Sequence, residues 1–334
     1  MTPSNSIAII GAGMAGLACA RRLADEGLPV AVFDKGRGIG GRLATRRTGD
    51  LAFDHGAQYA TARAPEFLAA LSNAAAHGHA ADWPAAWAML AEEGVTRVTA
   101  GEPRWVGTPG MSGLVRDLAA GLTVRAGTRI TGLGPAPGGG WQLTDADGGA
   151  HGPFRRVVLA VPAPQVAELL GPRAALFPAL ATVRYAPCWA ALVAWPEPLP
   201  LPFDAARLEA DPVLAMAART SGRPGRPNGA DCWVLHATPE WSRRHLEDAA
   251  DSVAPRLLDH FLGLTGVAET VVHLAAHRWR YALVEQPAGA AFLHDEALGL
   301  ALCGDWCLGP RIELAFLSGH RLAAALLEDL VEAG

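Results

Sequence analysis

The sequence predicts an α/β fold in which a domain on a buried parallel sheet interleaves with a second domain built on an antiparallel sheet with helices. Three observations lead there. Residues 7–33 read as strand, helix, strand around a glycine-rich turn. A further buried apolar run, Gly299 to Cys303, sits near the other end of the chain. Between them, apolar strands alternate with loops rich in proline and glycine.

Ile7-Ala8-Ile9-Ile10 is continuously apolar and ends at a glycine, as a strand buried on both faces requires. Ala15 to Glu26 is rich in alanine and leucine, carries Arg21, Arg22, Asp25 and Glu26 near its end and stops at Gly27, which predicts a helix. Pro29 to Phe33 is a second strand ending at Asp34, so the unit is βαβ with a right-handed crossover. Gly36 to Tyr59 is rich in glycine and arginine and lacks helical periodicity. That periodicity returns over Pro65 to Ala76, and Trp83 to Met89 reads as core between domains. Met111 to Ala120 is patterned as a helix and Thr123 to Ile130 as a strand. Gly138-Gly139-Gly140 and Asp147-Gly148-Gly149 bracket the strand Trp141 to Thr144 as hairpin turns. Val157 to Val161 is a buried strand stopped by Pro162.

Pro196 to Pro202 and Gly222 to Gly229 mark long loops around the strands Trp189 to Trp195 and Cys232 to His236. Pro239 to about Leu264 is helical, with Pro255 expected to start a second helix after an N-cap at Asp251 or Ser252. A strand over Thr270 to Ala275 precedes His277-Arg278-Trp279-Arg280-Tyr281. After the strand Gly299 to Cys303 come the turn Gly304-Asp305 and a closing helix from about Leu317 to Glu332.

Composition narrows the class. The chain has 334 residues, 50% hydrophobic and 18% charged, with a formal charge of −5, which suits a globular protein and gives no reason to expect a nucleic-acid partner. Its five cysteines are scattered without a paired spacing, which argues against a disulfide framework and a zinc site. His77-x-His79 and the pair His273/His277 lack a third ligand, so no metal is expected. The apolar run Ile7 to Ala20 is interrupted by glycines, and Arg21-Arg22 follow it rather than lead it, unlike a secretion signal. No apolar stretch reaches membrane-spanning length. The expectation is a soluble, cytoplasmic protein without membrane partners.

Gly11-x-Gly13-x-x-Gly16 lies between a strand and a helix, and Asp34 closes the next strand eighteen positions past the third glycine. This is the arrangement of a Rossmann-type dinucleotide site. Gly11 allows the tight turn, Gly13 lets a pyrophosphate approach the backbone, and Gly16 permits close helix–strand contact. Met14 and Ala15 open the helix, whose free N–H groups face the phosphates. Asp34 is placed to accept from a ribose diol.

The continuation Asp34-Lys35-Gly36-Arg37-Gly38-Ile39-Gly40-Gly41-Arg42 resembles the second signature of the flavin amine oxidase superfamily, where a Gly-Gly-Arg turn wraps the FAD pyrophosphate. Asp54-His55-Gly56-Ala57-Gln58-Tyr59 resembles the segment beside the isoalloxazine. Cys303-Gly304-Asp305-Trp306, with Arg311-Ile312-Glu313-Leu314-Ala315, resembles the third FAD motif, although Leu314 stands where that motif usually has glycine. The resemblance implies noncovalent FAD held by Gly11, Gly13, Met14, Ala15, Gly16, Asp34, Lys35, Gly41, Arg42, Gly56, Ala57, Gln58, Tyr59, Ile130, Gly304, Asp305, Glu313 and Ala315.

Four further segments narrow it. Arg104-Trp105-Val106-Gly107, Cys232-Trp233-Val234-Leu235-His236, Ala276-His277-Arg278-Trp279 and Cys303-Gly304-Asp305-Trp306-Cys307 are similar to those of bacterial renalases, and the similarity runs essentially end to end. That family implies oxidation of 2-dihydro and 6-dihydro isomers of NAD(P)H to NAD(P)⁺, with electrons passed through FAD to O₂ to give hydrogen peroxide. Its partners are then a nicotinamide dinucleotide and O₂. Many amine oxidases of the superfamily hold a water at the flavin with a lysine. Lys35, the sole lysine here, lies in the dinucleotide loop. A dihydropyridine loses hydride without loss of a proton, so positioning suffices and no catalytic side chain is expected.

Candidate substrate contacts are Tyr59, Trp105, His236, Arg278, Trp279 and Tyr281. Trp105 and Trp279 equally suit packing between domains, Tyr59 less so because it adjoins the flavin-facing segment, Tyr281 also suits packing, His236 a structural role, and Arg278 a solvated surface. The cofactor domain is expected to take residues 1–60, 105–165 and 295–334, and the substrate domain 61–104 and 166–294. An amine or lipid oxidase or desaturase, and a flavin-binding protein without catalysis, remain the alternatives.

Overall fold

In the computed structural model, which describes residues 6–91, 94–98 and 101–332, strand Ile7–Ile10 is buried along its whole length. It pairs in parallel with Val30–Phe33 on one side and Arg156–Leu159 on the other. Among the described residues this sheet has six strands, ordered Leu293–Asp295, Leu300–Leu302, Arg156–Leu159, Ile7–Ile10, Val30–Phe33, Thr123–Arg125. Only the edge strand Leu293–Asp295 runs antiparallel. Alternation along the central strand separates two cores. Ile7 and Ile9 pack with Leu17 and Leu23 of helix Met14–Asp25 and with Leu322 of helix Ile312–Glu332. Ala8 and Ile10 pack with Trp141, Leu143 and Phe154 of a small antiparallel sheet, Ile130–Pro135, Trp141–Asp145 and Ala150–Phe154.

The second large sheet has seven strands among the described residues, ordered His273–Gln286, Arg184–Trp195, Asp231–Ala237, Leu214–Arg219, Ala205–Leu208, Trp87–Ala91, Gly94–Val98. Neighbours are antiparallel except Ala205–Leu208 with Trp87–Ala91. Helix Ala250–Thr265 covers it with Val253, Leu257 and Phe261, the last against Trp195 and Trp233. Hairpin Thr45–Thr48/Leu51–Asp54 leaves the first sheet's side and buries Phe53 against Ala190, Leu192 and Val234 of the second. The mixed α/β architecture expected from the sequence is the one found, and helix Pro65–Ala76 has the expected bounds.

Several local readings need correction. The stretch from Thr123 to Ile130 is not one strand: Thr123–Arg125 ends the parallel sheet, and Ile130 begins the small antiparallel one after Gly127 turns the chain at φ +71°. Pro255 does not start a helix. A second helix does follow Pro239–Arg244, but it is Ala250–Thr265 with N-cap Ala249, so it begins five residues before the proline, which lies inside it. The strand expected at Thr270 runs over His273–Gln286 and absorbs the His277–Tyr281 segment. The closing helix starts at Ile312, so Glu313, Leu314 and Ala315 form its first turn. The strands Ala205–Leu208 and Leu214–Arg219 escaped detection because they are short and rich in alanine.

Candidate active site

The glycine turn forms one wall of a cavity of about 1240 Å³ between the two large sheets. Gly11 adopts φ +115°, and a Cβ at Gly16 would lie 2.0 Å from the Gly11 carbonyl oxygen, so helix Met14–Asp25 approaches as closely as a glycine allows. A Cβ at Gly13 would meet no protein atom within 4 Å. Gly13 lines the cavity, so the space beside its backbone is open to a ligand. The second glycine turn completes this wall: the Gly40 amide donates to the Ala12 carbonyl at 2.8 Å, and Gly41 faces Gly13. Such a cradle, at a helix N-terminus and the carboxyl end of a parallel sheet, fits the pyrophosphate of a dinucleotide.

Asp34 lines this end, but its carboxylate already accepts from the Ala12 amide and the Gly36 amide, both at 2.6 Å. It clamps the two glycine turns together, with lone pairs left for a ribose. Lys35 also lines this end and donates to Gln165 Oε1 at 3.3 Å. Ile130 closes it.

Arg42 and Asp305, 263 residues apart, form a two-pronged ion pair with both contacts at 2.7 Å. Arg42 Nη1 also donates to the Tyr281 and Ala282 carbonyls at 3.3 Å. Burial pulls the guanidinium pKa down, and the Asp305 carboxylate outweighs that, so Arg42 is held above its ordinary value. Its charge is shared with Asp305 and is not free for phosphates alone.

The segment from Asp54 to Tyr59 is tied to the cavity by a buried polar cluster. Asp54 is wholly buried; its Oδ2 receives Arg223 Nη1 at 2.7 Å, Arg226 Nη2 at 2.5 Å and Arg226 Nε at 3.1 Å. Its Oδ1 receives the Thr45 hydroxyl at 2.6 Å and the Met111 amide at 3.2 Å. Burial alone would raise the Asp54 pKa, but the two guanidiniums lower it, while burial brings Arg223 down to about 10. Both remain charged at neutral pH. Gln58 accepts from Arg223 and donates to the Asp54 and Gly56 carbonyls, which holds Gly56, Ala57 and Tyr59 along the cavity.

Opposite stands the wall given by the seven-stranded sheet. His236 Nε2 meets the His55 carbonyl at 3.2 Å, and the Trp279 indole N–H donates to the same oxygen at 2.9 Å. The His55 ring is edge-on to His277, 4.6 Å between centroids. Burial lowers the pKa of His55, His236 and His277 to about 4 each, helped by His277 and Arg46 at His55, by Arg223 at His236 and by Arg46 at His277. These rings are neutral at pH 7. The unfolded chain takes up their protons near pH 6.5, the folded one only near 4, so stability is full above about pH 6.5 and falls through that window. Each histidine is expected to contribute on the order of 2 kcal/mol to the loss. Urea midpoints from pH 7.5 to 4 measure it, with a shallower slope for His55→Gln; a flat profile contradicts the burial argument.

The cavity thus brings together Gly11, Gly13, Met14, Asp34, Lys35, Gly41, Arg42, Gly56, Ala57, Gln58, Tyr59, Ile130, Asp305 and Ala315 with His236, Arg278, Trp279 and Tyr281. Five expected contacts do not line it. Ala15 and Gly16 face the packed side of their helix, and Gly304 is buried with its amide on Ser318 Oγ at 3.0 Å. Trp105 pairs its backbone with Ala60 and packs into the first core. Glu313 accepts from the Arg63 and Ala64 amides at 2.5 and 2.7 Å, capping helix Pro65–Ala76, whose own N-cap, Ala64, has no acceptor. Leu314 packs into the first core and leaves the cavity to Ile312 and Ala315.

Arg278 and Arg280 share Glu247, Arg280 through two contacts at 2.7 and 2.8 Å. Sequence reasoning missed Arg104, Arg207, Cys188 and Met216 in the lining; only the exposed Arg207 between buried Ala206 and Leu208 left a trace of alternation. Cys303 and Cys307 are buried away from it, while Cys188, raised by burial to about 12, lines it as a neutral thiol. His77 and His79 meet on Asp117 at 3.2 and 2.9 Å, and among the described residues no three side chains are grouped for a metal. No described helix is long and apolar enough to cross a membrane.

Comparison with known proteins agrees with this geometry. Residues 9–74 match an NAD(P)-binding Rossmann-like domain, and residues 63–327 match the flavin containing amine oxidoreductases. Among curated proteins, a 4,4'-diapophytoene desaturase of Staphylococcus aureus is 44% identical over 50 residues, 15% of this chain and 10% of that protein's length. Among solved structures, a proposed protoporphyrinogen oxidase from Exiguobacterium sp. 255-15 superposes with a TM-score of 0.78 at 14% identity, covering 98% of this chain and all of that one. A putrescine oxidase bound to putrescine gives a TM-score of 0.69 at 13% identity over the same shares. At these identities the structures show a common fold. The family match spans most of the chain: the protein belongs to the flavin containing amine oxidoreductase family.

Proposed function

We propose that the protein is an FAD-dependent oxidase of the 2-dihydro and 6-dihydro isomers of NAD(P)H, with FAD bound noncovalently. The observation that carries this reading is the make-up of the wall opposite the glycine turns. The seven-stranded sheet contributes Cys188, Arg207, Met216, His236 and residues 277–283 to the lining, and no lysine, aspartate or glutamate. Its histidines are neutral with pKa values near 4, too low to hold a proton taken from a substrate at pH 7. A wall without a strong base suits a substrate that loses hydride alone, because a dihydropyridine becomes an aromatic pyridinium without giving up a proton.

Gly13, Gly41, Asp34 and the first turn at Ile312 and Ala315 would hold the flavin dinucleotide. When bound, the flavin supplies a two-electron acceptor that O₂ reoxidises with formation of hydrogen peroxide. Trp279, fixed through its indole N–H, and Tyr281 line the cavity and would supply the aromatic rings against which a nicotinamide packs. The chain's part is then orientation and exclusion of water, not proton transfer.

Anaerobic mixing tests this directly. Either dihydro isomer is expected to bleach the oxidised flavin absorbance in one turnover, with NAD(P)⁺ released; bleaching by neither isomer sinks the proposal. The likeness to a putrescine oxidase and a desaturase favours a second reading, oxidation of an amine or a lipid. Peroxide release with amines, and none with dihydropyridines, would select it.

A further inference from the structure

Tyr59 is flanked by two arginines from separate parts of the chain. Arg207 Nη2 donates to its hydroxyl at 2.5 Å, and the Arg104 guanidinium lies 5.6 Å from its ring centroid. Arg104 also stacks 3.9 Å over Trp87, which meets Tyr59 edge-on at 5.2 Å. Tyr59, Arg104 and Arg207 all line the cavity. The nearby charges are otherwise paired: Arg63 with Glu102 at 2.8 Å, Arg311 with Glu313 at 3.0 Å, and Arg278 and Arg280 with Glu247. Among the described residues, Arg104 and Arg207 have no carboxylate partner. Two guanidiniums beside one phenol ring repel each other, and the rings hold them in place by cation–π contact and hydrogen bonding. Guanidinium planes held on a cavity wall present their N–H forks to a multiply charged oxyanion.

We propose that Arg104 and Arg207, steadied by Tyr59 and Trp87, form the subsite for the pyrophosphate of the substrate dinucleotide. This rests on the dihydro-NAD(P) reading for the identity of the ligand, and on geometry alone for the anion site. Arg278 and Arg280, which also line the cavity, are held by Glu247 instead.

The test is calorimetric titration of the flavin-loaded protein with inorganic pyrophosphate at low salt. Wild type is expected to bind, and Arg104→Gln and Arg207→Gln each to weaken binding at least tenfold. Arg207→Lys, which keeps the charge, retains an intermediate affinity, and Arg280→Gln stays within twofold of wild type. A wild type that does not bind pyrophosphate overturns the subsite, as do Gln variants that bind like wild type or an Arg280→Gln loss as large as theirs. Melting temperature and flavin content of each variant separate loss of the subsite from loss of the fold. A kinetic arm compares the dihydronicotinamide dinucleotide with its nucleoside: the Gln variants should lower the KM advantage of the dinucleotide at least fivefold. If neither compound reduces the flavin, the functional reading fails, and the pyrophosphate titration still decides the subsite.

Discussion

Asp54→Asn is expected to lower the unfolding free energy by about 3–5 kcal/mol, the usual consequence of leaving buried charges without their partner. The substituted amide would keep the shape of the side chain, but Arg223 and Arg226 would face each other in the interior with no anion between them. Asp54 receives three of their N–H groups, and both arginine side chains are at most 1% exposed. Neither can turn to water without opening the Gly222 to Gly229 loop. Urea unfolding of the flavin-loaded protein measures the loss. The triple variant Asp54→Leu, Arg223→Met, Arg226→Met removes every charge at once and should recover a large part of it. An Asp54→Asn variant within about 1 kcal/mol of wild type would mean that water already reaches these groups.

Gly56→Ala is expected to strip the flavin from the purified protein while leaving a folded chain. A Cβ there would lie 2.0 Å from the Arg42 carbonyl oxygen, and that carbonyl also accepts the Ala57 amide at 2.9 Å. Both neighbours are backbone, so no side chain can swing aside. The segment beside Tyr59 must lift off the Gly-Gly-Arg turn, and these are two walls of the same cavity. The ratio of flavin to protein absorbance after purification should fall at least tenfold. Gly263→Ala is the control: it lies exposed in helix Ala250–Thr265 with nothing within 4 Å of a new Cβ, and should keep full flavin with a gain of roughly 0.5–1 kcal/mol. Full flavin occupancy in Gly56→Ala would show that the two walls separate freely.

The parts of this protein that could be read from sequence are those in which one short segment carries its own physical reason. Strand Ile7–Ile10, the glycine turn and helix Met14–Asp25 are adjacent, and their periodicity and turn chemistry are local. Trp141–Asp145 between its glycine clusters is legible for the same reason. Ala205–Leu208 and Leu214–Arg219 were not, because short alanine-rich strands have little preference until neighbours pair with them. Pro255 misled because the cost of one proline is local, whereas the burial of Val253, Leu257 and Phe261 that holds the helix together depends on the sheet it packs against.

By itself, the sequence determined the βαβ dinucleotide unit, the mixed α/β class and the absence of any lysine beyond Lys35. The tertiary structure alone decided the partners of the charges. Arg42 met Asp305, Asp54 met Arg223 and Arg226, Glu313 met the amides of Arg63 and Ala64, and Arg104 and Arg207 met at Tyr59. Those pairings join residues far apart in the chain. Hydrophobic periodicity places a charged residue on an element's face without naming its partner, because Coulomb attraction and hydrogen bonding act between side chains that only the packing of two sheets brings within reach.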